Sequence, residues 1–83
     1  MLQRSEHVVQ LTHREAEVLQ LVSIGLSAKE AAIELYISPC TVERHVENVR
    51  LKTRTRNRAH MIAHVIREGL LNGAQPAGTH IAA

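Results

Sequence analysis

Residues 38–58 read SPCTVERHVENVRLKTRTRNR, with six arginines and lysines set among two glutamates, two asparagines and a histidine. Ser38 is a helix N-cap type, and Pro39 after it fits the first helical position, where its missing N–H costs nothing. Winding a helix from there at 100° per residue brings Val46 and Val49 within about 40° of Val42, so that side faces a core. Opposite lie Cys40, Arg44, Glu47 and Leu51, flanked by Glu43 and Asn48. An arginine can donate two parallel hydrogen bonds to guanine O6 and N7, and a glutamate can accept one from cytosine N4. Glu43, Arg44 and Glu47 are therefore candidates for reading base edges from a recognition helix over 38–53. Arg50, Lys52, Arg54, Arg56 and Arg58 continue past its end, where they suit phosphates and supply affinity without sequence information. The amide-rich starts of this helix and the one before it can also bind phosphate oxygens, with help from Lys29, Ser38 and Thr41.

Other chemistries find little support. Cys40 is the lone cysteine, so no intramolecular disulfide forms, and it reads as a small exposed filler. His60 and His64 share a helix face at i, i+4, but no third metal ligand accompanies them. His45 reads as a packing or phosphate residue rather than a general base. There is no Ser/His/Asp or Cys/His constellation and no Gly-rich phosphate loop. The sequence predicts no catalytic residue, no metal and no cofactor.

Charge and size agree with a polyanionic partner. Three cations against five carboxylates leave residues 1–37 at −2, while seven against three leave residues 38–68 at +4. The whole carries +2, and the pI is near 9.2. Clustered arginine at that pI is the footprint of nucleic-acid binding. With 83 residues the chain is one domain, burying only about 60% of the surface its unfolded form exposes. It has no Trp or Phe and one Tyr, so the core must be aliphatic. No apolar run approaches the ~18 residues of a membrane span, and no apolar signal segment follows Met1. The expectation is a soluble, cytoplasmic protein associated with the nucleoid of a bacterium or phage.

Four helices must position these side chains. Thr12 with Glu15, and Ser27 with Glu30, are capping boxes that open the first and second. Val18, Leu19, Leu21 and Val22 give the first its apolar face, and Gly25 stops it. Ala28, Ala31, Ala32 and Leu35 line the second with small residues that let a neighbour cross closely. The third is the valine-backed helix above. The fourth runs from about Asn57 to Glu68, stopped by Gly69, with Met61, Ile62, Val65 and Ile66 on a wide apolar face. No segment alternates with period two, so the chain is all-α. Only Tyr36 and Ile37 separate helices two and three, which must therefore cross steeply as a helix-turn-helix, Ile37 filling the corner. Residues 1–10 read as an arm, 11–71 as the folded unit, and the uncharged 72–83 as a disordered tail.

The segment LTHREAEVLQLVSIGLSAKEAAIELYISPCTVERHVENV resembles the DNA-binding domain of the LuxR/GerE (NarL-type) transcription regulators. Their pattern is LTxRExEVLxLxAxGxSxKEIAxxLxISxxTVxxHxxNI. The resemblance implies a tetrahelical helix-turn-helix with its third helix in the major groove of double-stranded DNA, and a homodimer made through the fourth. It places Glu43, Arg44 and Glu47 at base-reading positions. Lys29, Thr41, His45, Asn48 and Lys52 fall where the family touches the DNA backbone or braces the recognition helix. The small size and the starting Met imply a stand-alone member. The chain departs from the pattern at Glu43, where many members carry Lys, and at Glu47, where several carry a basic or polar residue. Thr53 stands where a buried Leu is usual and Arg54 where a Gly turns the chain, which predicts an altered helix end, with Leu51 pointing outward.

The width of the fourth helix's apolar face independently favours a homodimer, through Met61, Ile62, Val65 and Ile66. The competing reading is a protein-interaction module that uses Glu43, Glu47 and Leu51 to grip RNA polymerase or a second regulator and binds DNA poorly.

Overall fold

Each helix begins where a side chain can satisfy an orphan backbone amide. In the computed structural model, which describes residues 9–71, the order is α1 (His13–Ser23), α2 (Ala28–Leu35), α3 (Pro39–Thr53) and α4 (Arg58–Arg67). Thr12 Oγ1 accepts the Glu15 N–H at 3.0 Å, and Glu15 Oε1 accepts the Thr12 N–H at 2.9 Å. Ser27 and Glu30 repeat that exchange at α2. Ser38 caps α3 with Pro39 at its first position, and Asn57 caps α4. The expected tail at 72–83 and all but the last two residues of the expected arm lie outside the described residues.

The helices also end alike. Gly25, Tyr36, Arg54 and Gly69 follow them with positive φ. In each case the next amide reaches back to a carbonyl five residues earlier: Leu26 to Leu21, Ile37 to Ala32, Thr55 to Arg50 and Leu70 to Val65. This is the Schellman closure, in which a left-handed residue turns the chain and satisfies the last carbonyls. The altered end expected after α3 does not occur, because Arg54 adopts φ 57° and ψ 39° and fills the place that favours glycine. Thr53 and Thr55 are both buried, and their hydroxyls bond each other at 2.9 Å. Thr53 Oγ1 also donates to Val49 O at 2.9 Å, so neither hydroxyl is left unsatisfied.

α3 packs against each of the other helices, and α1 also packs on α2. Its buried side, Val42, Val46 and Val49, meets Val18, Leu19 and Val22 of α1, Ala31 and Ala32 of α2, and Met61 and Val65 of α4 in one aliphatic core. The alanines let α2 approach closely, and Ile37 packs into the corner of the α2–α3 turn. Leu71, beyond α4, folds back to join the core, and Gln20 Nε2 donates to its carbonyl at 3.3 Å.

Only part of the dimer face expected on α4 reaches the surface. Met61 and Val65 are fully buried inside the monomer, so they are not available to a partner surface. On a helical wheel the apolar arc of α4 splits into two rows. The Met61 and Val65 row belongs to the core. The second row holds Ile62, which is half-buried, and Ile66, which is 58% exposed.

Candidate nucleic-acid interface

α3 is an unbroken helix of 15 residues. Its valine side is sealed, which forces the opposite side outward. Glu43, Arg44, Glu47, Asn48 and Leu51 are all exposed, as is Cys40. The three residues expected to read bases therefore share one accessible face.

Their electrostatic states differ. Arg44 has no ion pair or hydrogen-bonded side-chain partner among the described residues. Glu47 is held by Arg50, whose Nε donates to Oε1 at 3.0 Å and whose Nη2 donates to Oε2 at 2.7 Å. The hydrogen bond and charge of Arg50 hold the Glu47 carboxyl below its ordinary range, and Glu47 in turn raises Arg50 above its own. Arg50 Nη1 also donates to Thr55 O at 2.9 Å, which fixes the guanidinium beside the end of α3. Glu43 is tied to α4 by Arg58 Nη2 at 2.9 Å.

The cations expected at phosphates fall into two groups. Lys29, Arg54 and Arg56 are exposed, with no ion pair among the described residues. Arg50, Lys52 and Arg58 are paired. Lys52 is exposed but turns toward α1: its Nζ lies 2.6 Å from Glu15 Oε1 and donates to Gln10 O at 3.1 Å. The Ser38 hydroxyl accepts the Thr41 N–H at 3.1 Å and bonds Thr41 Oγ1 at 2.9 Å, so both side chains form the cap of α3. His45 is half-buried, and its Nδ1 is enclosed with no hydrogen-bond partner. His60 Nδ1 accepts the Arg56 N–H at 3.2 Å, joining the α3–α4 turn to α4. Among the described residues no group of three or more His, Cys, Asp or Glu could hold a metal ion. None of their helices is long and apolar enough to cross a membrane.

Sequence reasoning missed the buried Glu15. Burial raises its carboxyl, but hydrogen bonds from Lys52 and the Thr12 N–H, with the charges of Lys52 and His45, outweigh that and leave it below its ordinary 4.5. The capping box gave it a local role, and nothing local pointed to Lys52. Glu43 and Arg58 are likewise far apart in sequence. The Glu47 and Arg50 pair was also missed, although its i, i+3 spacing on a helix is a local signal that could have found it.

Comparison with known proteins gives the same frame. The family described as "Bacterial regulatory proteins, luxR family" matches residues 9–65. "Transcriptional regulatory protein LnrK" of Bacillus subtilis (strain 168) is 36% identical over 69 residues, covering 83% of this chain and 31% of that protein. "Probable transcriptional regulatory protein NarL" of Mycobacterium tuberculosis (strain ATCC 25618 / H37Rv) is 39% identical over 62 residues, covering 75% and 29%. The chain thus spans about a third of the length of these curated relatives. The solved structure of the transcription factor GerE is similar with a TM-score of 0.70 at 37% identity, covering 72% of this chain and 90% of that one. With its capped tetrahelical fold and the matched segment running from before α1 into α4, the chain belongs to the LuxR family of bacterial regulatory proteins.

Proposed function

We propose that this domain binds duplex DNA in a sequence-dependent way and regulates transcription, with α3 lying in the major groove. The observation that carries the reading is the continuous outer face of α3, on which Arg44, unpaired among the described residues, stands with exposed Glu43 and Glu47. The wide groove admits a helix, and those residue types match the donors and acceptors there. Lys29, Arg54 and Arg56 supply phosphate contacts that fix register. Asn48 and His45 flank the face, and Ser38 and Thr41 keep the start of α3 ordered for a phosphate. Transcription regulators similar to this chain in sequence and structure favour the same reading. Its setting is then the cytoplasmic nucleoid.

A homodimer through the Ile62 and Ile66 row of α4 would place two α3 helices on two half-sites of a symmetric duplex. Selection of bound sequences from a random duplex pool tests both parts. An enriched motif with two-fold symmetry is expected. Absence of any enriched motif would overturn sequence-dependent binding.

Leu51, 59% exposed beside Glu47, favours a second reading in which this face meets RNA polymerase or another regulator. Salt separates the two, because phosphate contacts weaken steeply between 50 and 200 mM salt whereas an apolar contact barely responds.

A further inference from the structure

Two of the cations suited to phosphate are already gripped by the carboxylates of the reading face. Arg50 meets Glu47 through two parallel hydrogen bonds, and Arg58 meets Glu43 across the α3–α4 junction. A carboxylate presents its oxygens to a guanidinium much as a phosphate does. Glu43 and Glu47 therefore occupy the positions that DNA phosphates would take on these arginines. Both carboxylates have side chains 54% exposed, so an incoming duplex can reach them. Neither pair is sealed in the core: the Arg50 and Arg58 side chains are 28% and 42% exposed, and Arg50 can leave Glu47 while its Nη1 keeps Thr55 O.

The consequence depends on the base sequence presented. A duplex with no donor near Glu43 or Glu47 gives the carboxylate nothing in exchange for its arginine. The carboxylate then keeps the cation and repels the nearby phosphates. A cytosine N4 in reach offers a replacement donor, and the guanidinium is released to the backbone. We propose that the Glu47–Arg50 and Glu43–Arg58 pairs are exchangeable latches that suppress binding to unmatched duplex DNA, making Glu43 and Glu47 determinants of specificity through the arginines they withhold. Discrimination by penalising the wrong partner is a general route to specificity. The inference rests on the DNA-binding reading above and extends it to how the atypical carboxylates act.

The test uses the full chain, its Glu43→Gln and Glu47→Gln variants, and a labelled duplex of the selected sequence beside a scrambled duplex of equal composition. Exposed ion pairs add little stability, so the variants keep the fold, which helical circular dichroism checks. Each variant is expected to bind the scrambled duplex roughly fivefold more tightly at 0.15 M salt, and the slope of log K against log salt is expected to steepen by about 0.9 for each arginine released. The selected-to-scrambled ratio falls accordingly. Unchanged or weaker scrambled binding in both variants, with the parent chain still preferring its selected site, overturns the latch and leaves the DNA reading standing. A parent chain that binds neither duplex overturns both.

Discussion

Lys52 Nζ lies 2.6 Å from Glu15 Oε1, joining residues 37 apart in sequence. The same oxygen accepts the Thr12 N–H. One buried carboxylate thus closes the cap of α1 and anchors the last turn of α3. α3 is held at its start by its own cap and at its end by a residue of a different helix. Lys52 thereby ties the end of α3 to α1 while its side chain stays 36% exposed.

That link gives the domain an acid limit. Glu15 titrates below its ordinary 4.5 when folded. Its contribution is fully present above that value and is lost as pH falls through the lower folded-state value. The melting temperature should therefore drop as pH falls below about 4.5, as followed by thermal circular dichroism. Glu15→Gln keeps an oxygen for the Thr12 N–H but loses the charge that pairs with Lys52, so it should destabilise by about 1 kcal/mol at neutral pH. It should also flatten the acid limb. A variant with the parent's acid limb would show that other carboxylates set it.

Two left-handed helix ends are occupied by residues that dislike that geometry. Tyr36 has φ 58° and is 94% exposed, so its side chain contributes no packing there. Arg54 has φ 57°. Left-handed backbone costs roughly 1–2 kcal/mol for a residue with a Cβ. Tyr36→Gly should raise stability by about 1 kcal/mol, or several degrees in melting temperature for a domain this small. Arg54→Gly should stabilise similarly and, on the proposed role of Arg54 at phosphate, weaken all duplexes alike. Urea unfolding of both variants checks the first effect, and binding to matched and scrambled duplexes checks the second.

The two rows of α4 should respond in opposite ways. Met61→Ala removes a fully buried side chain and should cost about 3 kcal/mol. Ile66→Glu alters an exposed position, so it should leave the melting temperature nearly unchanged. It should also abolish paired occupancy of a symmetric site. Sedimentation and gel shifts on one-half-site and two-half-site duplexes read that outcome.

Most of the fold was legible because its signals are local. Thr12 with Glu15, Ser27 with Glu30, Ser38 with Pro39, and Asn57 each mark a helix start within four residues. The valine spacing of α3 fixed which side is buried and so exposed Glu43, Arg44 and Glu47 together. Three features were hidden for physical reasons. The apolar arc of α4 does not say how much of it neighbours will cover, so Met61 and Val65 read as surface until packing claimed them. Arg54 sits in a glycine geometry between Thr53 and Thr55, which are buried and bond each other, an arrangement with no spacing signature. The Glu15–Lys52 and Glu43–Arg58 pairs are made only when separate helices meet, so free cations could not be told from paired ones.

The central claim is that Arg44 reads bases while the arginines past α3 hold phosphates. Gel shifts of Arg44→Ala and Arg56→Ala on selected and scrambled duplexes test it most directly. Arg44→Ala should cost about 1–3 kcal/mol on the selected duplex alone and collapse the ratio between the two. Arg56→Ala should weaken both about equally and reduce the salt slope by about 1. An Arg44→Ala variant that keeps the parent's ratio would contradict the assignment of α3 as the reading helix.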